Sequence, residues 1–252
     1  TKSSFVLLVI DCSGSMGRSE ISATTCPSHG QQGRNLVCSA CGLPTHAVIN
    51  TKAQHAMVTA FAMRGALNEA RVPHAVVGFT TDDAELSPAE SAEARGKFAR
   101  FSLSIKMFEF LPGPGLGRSP DGLTHINGEG GNVDGESILK AAVYGSRWAQ
   151  DLDRYIMMVV SDGLPSGLND PRYNNSGLAN AVERCARAGI EVYGIGVGLG
   201  ERDLSEFYPS RKATSERAAT GSFAIPPSGL TSEVIKSIGQ LVAEGYGTSR
   251  RK

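Results

Sequence analysis

The sequence predicts an α/β fold, a doubly wound and mainly parallel sheet with helices on both faces. Three observations carry this expectation. Four apolar runs, FVLLVI at 5–10, HAVVGF at 74–79, YIMMVV at 155–160 and IEVYGIGVG at 190–198, are short and rich in β-branched residues, as strands buried on both faces are. Segments with helical spacing lie between them, which is the pattern of a parallel sheet with crossover helices. The strands also run into polar loops, DCSGS, TTDD and SDG. A parallel sheet gathers such loops at the carboxyl ends of its strands, where folds of this kind bind ligands.

The elements follow in order. FVLLVI has no polar member and stops at Asp11, after which Ser13 and Ser15 occupy alternate positions. Residues 26–46 are rich in Gly, Cys and polar residues and show no helical period. From about 47 to 70, Met57, Phe61 and Leu67 recur at helical spacing. Pro73 leads into the second strand, expected to end at Thr80 and Thr81. Residues 82–104 are polar and rich in Ala, Glu and Arg, which predicts a partly helical surface segment. SIKMFEFL at 104–111 alternates loosely, as an edge strand does. Residues 112–132 hold many Gly and Pro and predict loop. Asp134 opens a helix with Ile138, Leu139, Ala142 and Val143 on one side. The third strand ends in Ser161, Asp162 and Gly163. A helix is expected over 175–188, with Gly189 at its C-cap. After the fourth strand come a short helix near Leu204, a weak strand at SFAI and a last helix over 231–243.

Charge narrows the function. Lys plus Arg and Asp plus Glu both number 25, so net charge is zero. Binding to nucleic acid or to a membrane surface through bulk charge is therefore not expected. The basic run Arg250, Arg251, Lys252 reads as a frayed terminus. No stretch of about 18 apolar residues is present, so no membrane-spanning segment is expected. The five cysteines are odd in number and three are clustered. That fits a reducing, cytoplasmic setting with a metal site better than a disulfide framework. The whole chain, 1–252, is read as one domain with an insert at 22–46.

A carboxylate and two hydroxyls at alternate positions can aim at one point if the loop curls. Such oxygen donors suit a hard divalent cation such as Mg²⁺, which takes few carboxylates and keeps some waters. Asp162, at the end of another strand, joins directly or through water. Asp134, after the GEGGN loop, adds a further oxygen. Alone, D-x-S-x-S is as well explained by a helix N-cap and turn serines. With the SDG and GGN-x-D-G loops at the same sheet edge, a cation site over Asp11, Ser13, Ser15, Asp134 and Asp162 is the better reading.

DCSGS after an apolar strand resembles the metal-ion-dependent adhesion site of von Willebrand factor A domains. On that resemblance Asp11, Ser13 and Ser15 match the first loop, and Asp162 in VVSDGLP matches the third-loop aspartate. The second loop of that family usually offers a threonine; here Asp134 in NVDGESI takes the place and adds negative charge. GFTT, NVDGESILKAA, IMMVVSDGLP and EVYGIGVG look like the C-terminal A domain of the CobT-type subunit of aerobic cobaltochelatase. The resemblance implies an adaptor that grips a partner carboxylate through Mg²⁺. Its partners would be an AAA+ ATPase of the CobS or MoxR type and a large chelatase subunit. The family's acidic N-terminal region has no counterpart here, and no G-x-x-x-x-G-K-[ST] loop occurs, so ATP hydrolysis by this chain is not expected. The alternative is a stand-alone metal-dependent binding or scaffold module. An enzyme would need a general base near Asp11 beyond the ligands themselves, and none is evident.

The stretch CPSHGQQGRNLVCSACGLPTH spaces Cys26-x-x-His29 and Cys38-x-x-Cys41. Two such pairs within a short span form a structural zinc pattern, with His46 as a substitute fourth ligand. Zn²⁺ would give a fold to a segment with almost no core of its own. The remaining candidates read as structural. Thr80 and Thr81 sit at the ligand edge and are weakly favoured to bond metal-held water. His55 and His74 read as helix-surface and strand-entry residues. His125 lies in a loop that could reach the site mouth. Cys12 is expected to point away from the metal and Cys185 into the core.

Overall fold

In the computed structural model the described residues are 3–17, 24–25, 28, 32–33, 40–41, 46–47, 51–85, 87–93, 103–162, 171–197, 204–225 and 239–240. The main strands are β1 (Ser4–Asp11), β5 (His74–Glu85), β6 (Leu103–Leu111), β7 (Arg154–Ser161), β8 (Ile190–Val197) and β9 (Thr220–Ile225). They form one sheet in the order β6-β5-β1-β7-β8-β9. All neighbours run parallel except β5 and β6. Two-residue strands β2 (Thr24–Thr25), β3 (Gln32–Gly33) and β4 (His46–Ala47) make a separate small antiparallel sheet. The helices are α1 (Gly14–Gly17), α2 (Lys52–Glu69), α3 (Pro88–Glu93), α4 (Asp134–Ala149) and α5 (Pro171–Arg187).

Every residue of β1 is buried, because it lies mid-sheet with helices on both faces. Its side chains alternate between two cores. Val6, Leu8 and Ile10 pack with Ala53, Ala56, Ala60 and Met63 of α2. Phe5, Leu7 and Val9 pack with Ile138 and Ala141 of α4 and with Leu178 and Val182 of α5. Each fully buried large side chain contributes about 1.5–3 kcal/mol of transfer free energy. The small alanines of α2 let that helix approach the sheet closely. The chain leaves β1 toward β5 on one side and later returns to β7 on the other. This reversal opens a crevice at the carboxyl ends of β1 and β7.

Several boundaries differ from the sequence-based expectation. β5 runs past Thr81 to Glu85, because the antiparallel partner β6 continues its ladder through an irregularity between Asp82 and Glu85. α2 starts at Lys52 rather than near 47. Thr51 caps it: the Gln54 amide donates to Thr51 Oγ1 at 3.1 Å, and the Thr51 amide donates to Gln54 Oε1 at 3.1 Å. The 112–132 loop contains a 3-10 turn, Asp121–His125. α5 begins at Pro171, four residues earlier than expected, and Gly189 follows it with φ +82°. Most of the expected last helix lies outside the described residues; 239–240 are helical. Among the described residues no helix is long and apolar enough to cross a membrane.

Candidate metal centre

Three loops meet at the crevice. The first turns on Asp11, which is fully buried. Its Oδ1 accepts the Ser13 amide at 2.8 Å, which curls the chain back at once. The curl brings the Ser13 and Ser15 hydroxyls within 3.0 Å of each other. Ser15 Oγ in turn donates to Asp162 Oδ1 at 3.0 Å, reaching the loop after β7. Asp134, the first residue of α4, is 1% exposed, and neither of its carboxylate oxygens has a hydrogen-bond partner. The five residues expected to share a cation are thus carried to one sheet edge by three separate elements.

A glycine-rich loop holds Asp134 in place. The Gly14 amide donates to the Gly130 carbonyl at 2.9 Å, and the Glu129 amide donates to the Cys12 carbonyl at 2.7 Å. On the other side the Thr81 amide donates to the Gly131 carbonyl at 3.1 Å, and the Gly131 amide to Thr81 Oγ1 at 2.7 Å. The Thr80 hydroxyl donates to the carbonyls of Glu129 and Gly131. The Thr80 and Thr81 hydroxyls thus both bond the loop backbone, Thr80 as donor and Thr81 as acceptor. Gly130 has φ +65°, a conformation that side chains disfavour.

The electrostatics are those of a site with more negative than positive charge: against Asp11, Asp134 and Asp162 stands the Lys52 ammonium, 2.9 Å from Asp162 Oδ2. Burial, reinforced by the charge of Asp162, pushes Asp11 up to about 6, against the opposing hydrogen bonds from Ser13 and Ser161. Burial and the Asp11 charge raise Asp134 well above the ordinary carboxylate range, with the Asn132 amide opposing. A buried carboxylate without a partner is expensive and is expected to pair or to coordinate a metal. Tyr208, fully buried beneath the site with its hydroxyl unpartnered, is raised by burial and then by the charges of Asp134 and Asp11.

The donor set fits a hard cation. Adjacent oxygens around Mg²⁺ at 2.0–2.1 Å lie about 3 Å apart in an octahedron. The Ser13–Ser15 and Ser15–Asp162 oxygen pairs are each 3.0 Å apart. Among the described residues no group of three His, Cys, Asp or Glu side chains could hold a metal by itself. A cation here would rely on the serine hydroxyls as well as on the carboxylates.

Three participants were not legible in advance. Ser161 Oγ donates to Asp11 Oδ2 at 3.0 Å, and Asn132 Nδ2 donates to the same oxygen at 3.3 Å. Both sit beside recognised residues in the SDG and GGN motifs. Lys52 Nζ lies 2.9 Å from Asp162 Oδ2. Nothing in its neighbourhood in sequence marks it.

The other candidates fall elsewhere. Cys26, His29 and Cys38 lie outside the described residues, and Cys41 is exposed. His46 is in β4. His74 is buried, with Nδ1 2.8 Å from the Val72 carbonyl oxygen. His55 lies in α2, where its carbonyl accepts from Thr59, and His125 is exposed at the end of the 3-10 turn. Cys12 is buried and its thiol donates to the Ile10 carbonyl at 3.6 Å, away from the carboxylates. Cys185 is in the core.

The six-stranded sheet with an oxygen-lined crevice at its carboxyl edge is the fold of a von Willebrand factor A domain. No protein-family model and no curated protein matches the chain. Among solved structures, the von Willebrand factor domain of the type V pili tip protein Mfa5 from Porphyromonas gingivalis is similar with a TM-score of 0.57 at 12% identity. The likeness covers 100% of this chain and 99% of that one. The pilus adhesin SpaC from Lactobacillus rhamnosus GG is similar with a TM-score of 0.52 at 11% identity, over 97% of this chain and 30% of SpaC. This chain therefore spans less than a third of SpaC. At these identities the likeness is one of fold.

Proposed function

We propose that this chain is a metal-dependent protein-binding module. Asp11, Ser13, Ser15, Asp134 and Asp162 take a Mg²⁺ or similar cation, and the cation grips a carboxylate on a partner. The observation that carries this reading is Asp134: two buried carboxylate oxygens with no partner, beside two further carboxylates. A bound cation would offset the remaining negative charge and offer an open position for an acidic side chain. The chain's own part is to orient oxygens: Ser161 and Asn132 fix Asp11, and the glycine-rich loop fixes Asp134. Mg²⁺ titration calorimetry of the wild type and Asp11→Ala tests it. Binding is expected only in the wild type; equal heats from both proteins would refute the assignment.

The finer reading is an adaptor in a chelatase-like complex, with an AAA+ ATPase of the CobS or MoxR type and a large chelatase subunit as partners. Its support is the resemblance of GFTT, NVDGESILKAA, IMMVVSDGLP and EVYGIGVG to the CobT-type A domain. Capture of such an ATPase by the wild type, abolished by EDTA and by Asp11→Ala, is the expected result. Capture that survives both would rule out the metal grip. A stand-alone adhesion or scaffold role is the second reading, favoured by the likeness of fold to two pilus proteins. For the insert we propose a structural Zn²⁺ on Cys26, His29, Cys38 and Cys41, supported by their paired spacing.

A further inference from the structure

Lys52 stands where a helix least favours a cation. It is the first residue of α2, at the positive end of the helix dipole, and the first turn holds no acidic residue to offset it. The Thr51–Gln54 capping box fixes the helix start, and with it the root of the Lys52 side chain. The ammonium lies 2.9 Å from Asp162 Oδ2, with the side chains 19% and 3% exposed. A pair this sheltered is only weakly screened by solvent.

The formal charges explain its presence. Asp11, Asp134 and Asp162 bring three negative charges, and a divalent cation brings two positive ones. The loaded centre would keep one net negative charge and repel the carboxylate it is meant to accept. One ammonium removes that surplus. Lys52 comes from the start of α2 and Asp134 from the start of α4, and the two charges meet at one site.

We propose that Lys52 is the specificity-determining residue of this centre: its charge offsets that of Asp134, restrains cation affinity and leaves the loaded site neutral, so that an acidic side chain of a partner takes the open position. This rests on the cation reading given above. It predicts opposite effects on two ligands, which a merely structural lysine would not produce. Removing the charge strengthens binding of the cation and weakens binding of an anion to the cation-loaded protein.

The test uses Mn²⁺ as the cation probe and acetate as the carboxylate probe. Free Mn²⁺ is followed by electron paramagnetic resonance, and acetate by its loss of water-proton relaxation as it displaces water from bound Mn²⁺. Lys52→Met is expected to lower the Mn²⁺ dissociation constant and to raise the acetate constant, each on the order of tenfold. Lys52→Arg is expected to keep both near wild type. Lys52→Gln, with a polar side chain, repeats the test should Lys52→Met fold poorly. Unchanged constants, or both ligands weakening together, overturn the role of Lys52 while the cation site stands. Failure of the wild type to bind Mn²⁺ overturns the cation reading itself.

Discussion

The Ser161 hydroxyl donates to Asp11 Oδ2 at 3.0 Å, tying the ends of β7 and β1 together across 150 residues of chain. Asp11 Oδ1 is already held by the Ser13 amide. The carboxylate is therefore oriented at both oxygens before any ligand arrives. Such orientation by surrounding donors is what separates a preformed cation site from a loose acidic loop.

Ser161→Ala removes one of these restraints without touching a proposed ligand. Loss of a buried hydrogen bond to a charged group costs about 1.5–3 kcal/mol. Stability in EDTA is expected to fall by about that much, and Mg²⁺ affinity by roughly tenfold. Urea unfolding and calorimetry on the same preparation read both. Unaltered Mg²⁺ affinity would mean that Asp11 does not depend on Ser161 for its orientation.

Burial of the carboxylates makes stability depend on pH in an unusual direction. Asp11 rises from 3.8 to about 6 on folding, so the folded state binds its proton more tightly than the unfolded state. Stability from this group is fully present below about pH 4 and is lost as pH rises through about 6, on the order of 3 kcal/mol in all. In EDTA, Asp11→Asn should show a shallower decline, keeping only the part that Asp134 contributes, which urea midpoints of the two proteins between pH 4 and 7 will show. Asp134 is raised for the same first reason, so Asp134→Asn is expected to be at least as stable as wild type in EDTA at pH 8. Saturating Mg²⁺ reverses that order, since a ligand at a hundred times its dissociation constant adds about 2.7 kcal/mol to the protein that binds it.

How far the residues foretold this arrangement depends on distance along the chain. The four apolar runs announced the buried strands because a strand covered on both faces has no polar alternation to confuse it. Asp11 and Asp162 were legible because they lie at strand ends, which a parallel sheet brings together, and Asp134 because it opens a helix after the GEGGN loop. Lys52 was not, because its partner lies 110 residues away and α2 carries no local sign of the pairing. The extension of β5 to Glu85 was missed for a related reason. Asp82, Asp83 and Glu85 read as part of a partly helical surface segment, and only the ladder to β6 makes strand of them. The short strands between Thr24 and Ala47 are two residues each, too brief for any periodicity to show.

The insert offers a separate measurement. If Cys26, His29, Cys38 and Cys41 hold Zn²⁺, the purified protein will carry about one zinc per chain, and Cys38→Ser will carry markedly less. Elemental analysis by mass spectrometry decides it. A wild-type protein essentially free of zinc, prepared without chelators, would rule the site out.

The glycine-rich loop supplies the last prediction. A Cβ on Gly130 would press against the Thr81 carbonyl oxygen and lie 2.7 Å from Thr80 Oγ1, both on β5 beneath the loop. The residue also has φ +65°, where an L side chain costs roughly 1–2 kcal/mol. Gly130→Ala can relieve the contact only by lifting the loop, and Asp134 follows four residues later at the start of α4. Of the 112–132 loop, Leu123 and Ile126 enter the cores on the faces of the sheet, and both precede the glycines. Cation affinity is therefore expected to fall tenfold or more, while unfolding in EDTA shifts by no more than about 2 kcal/mol. Calorimetry and thermal melts separate the two effects. A variant that melts early yet binds Mg²⁺ normally would show that the loop supports the fold and not the placement of Asp134.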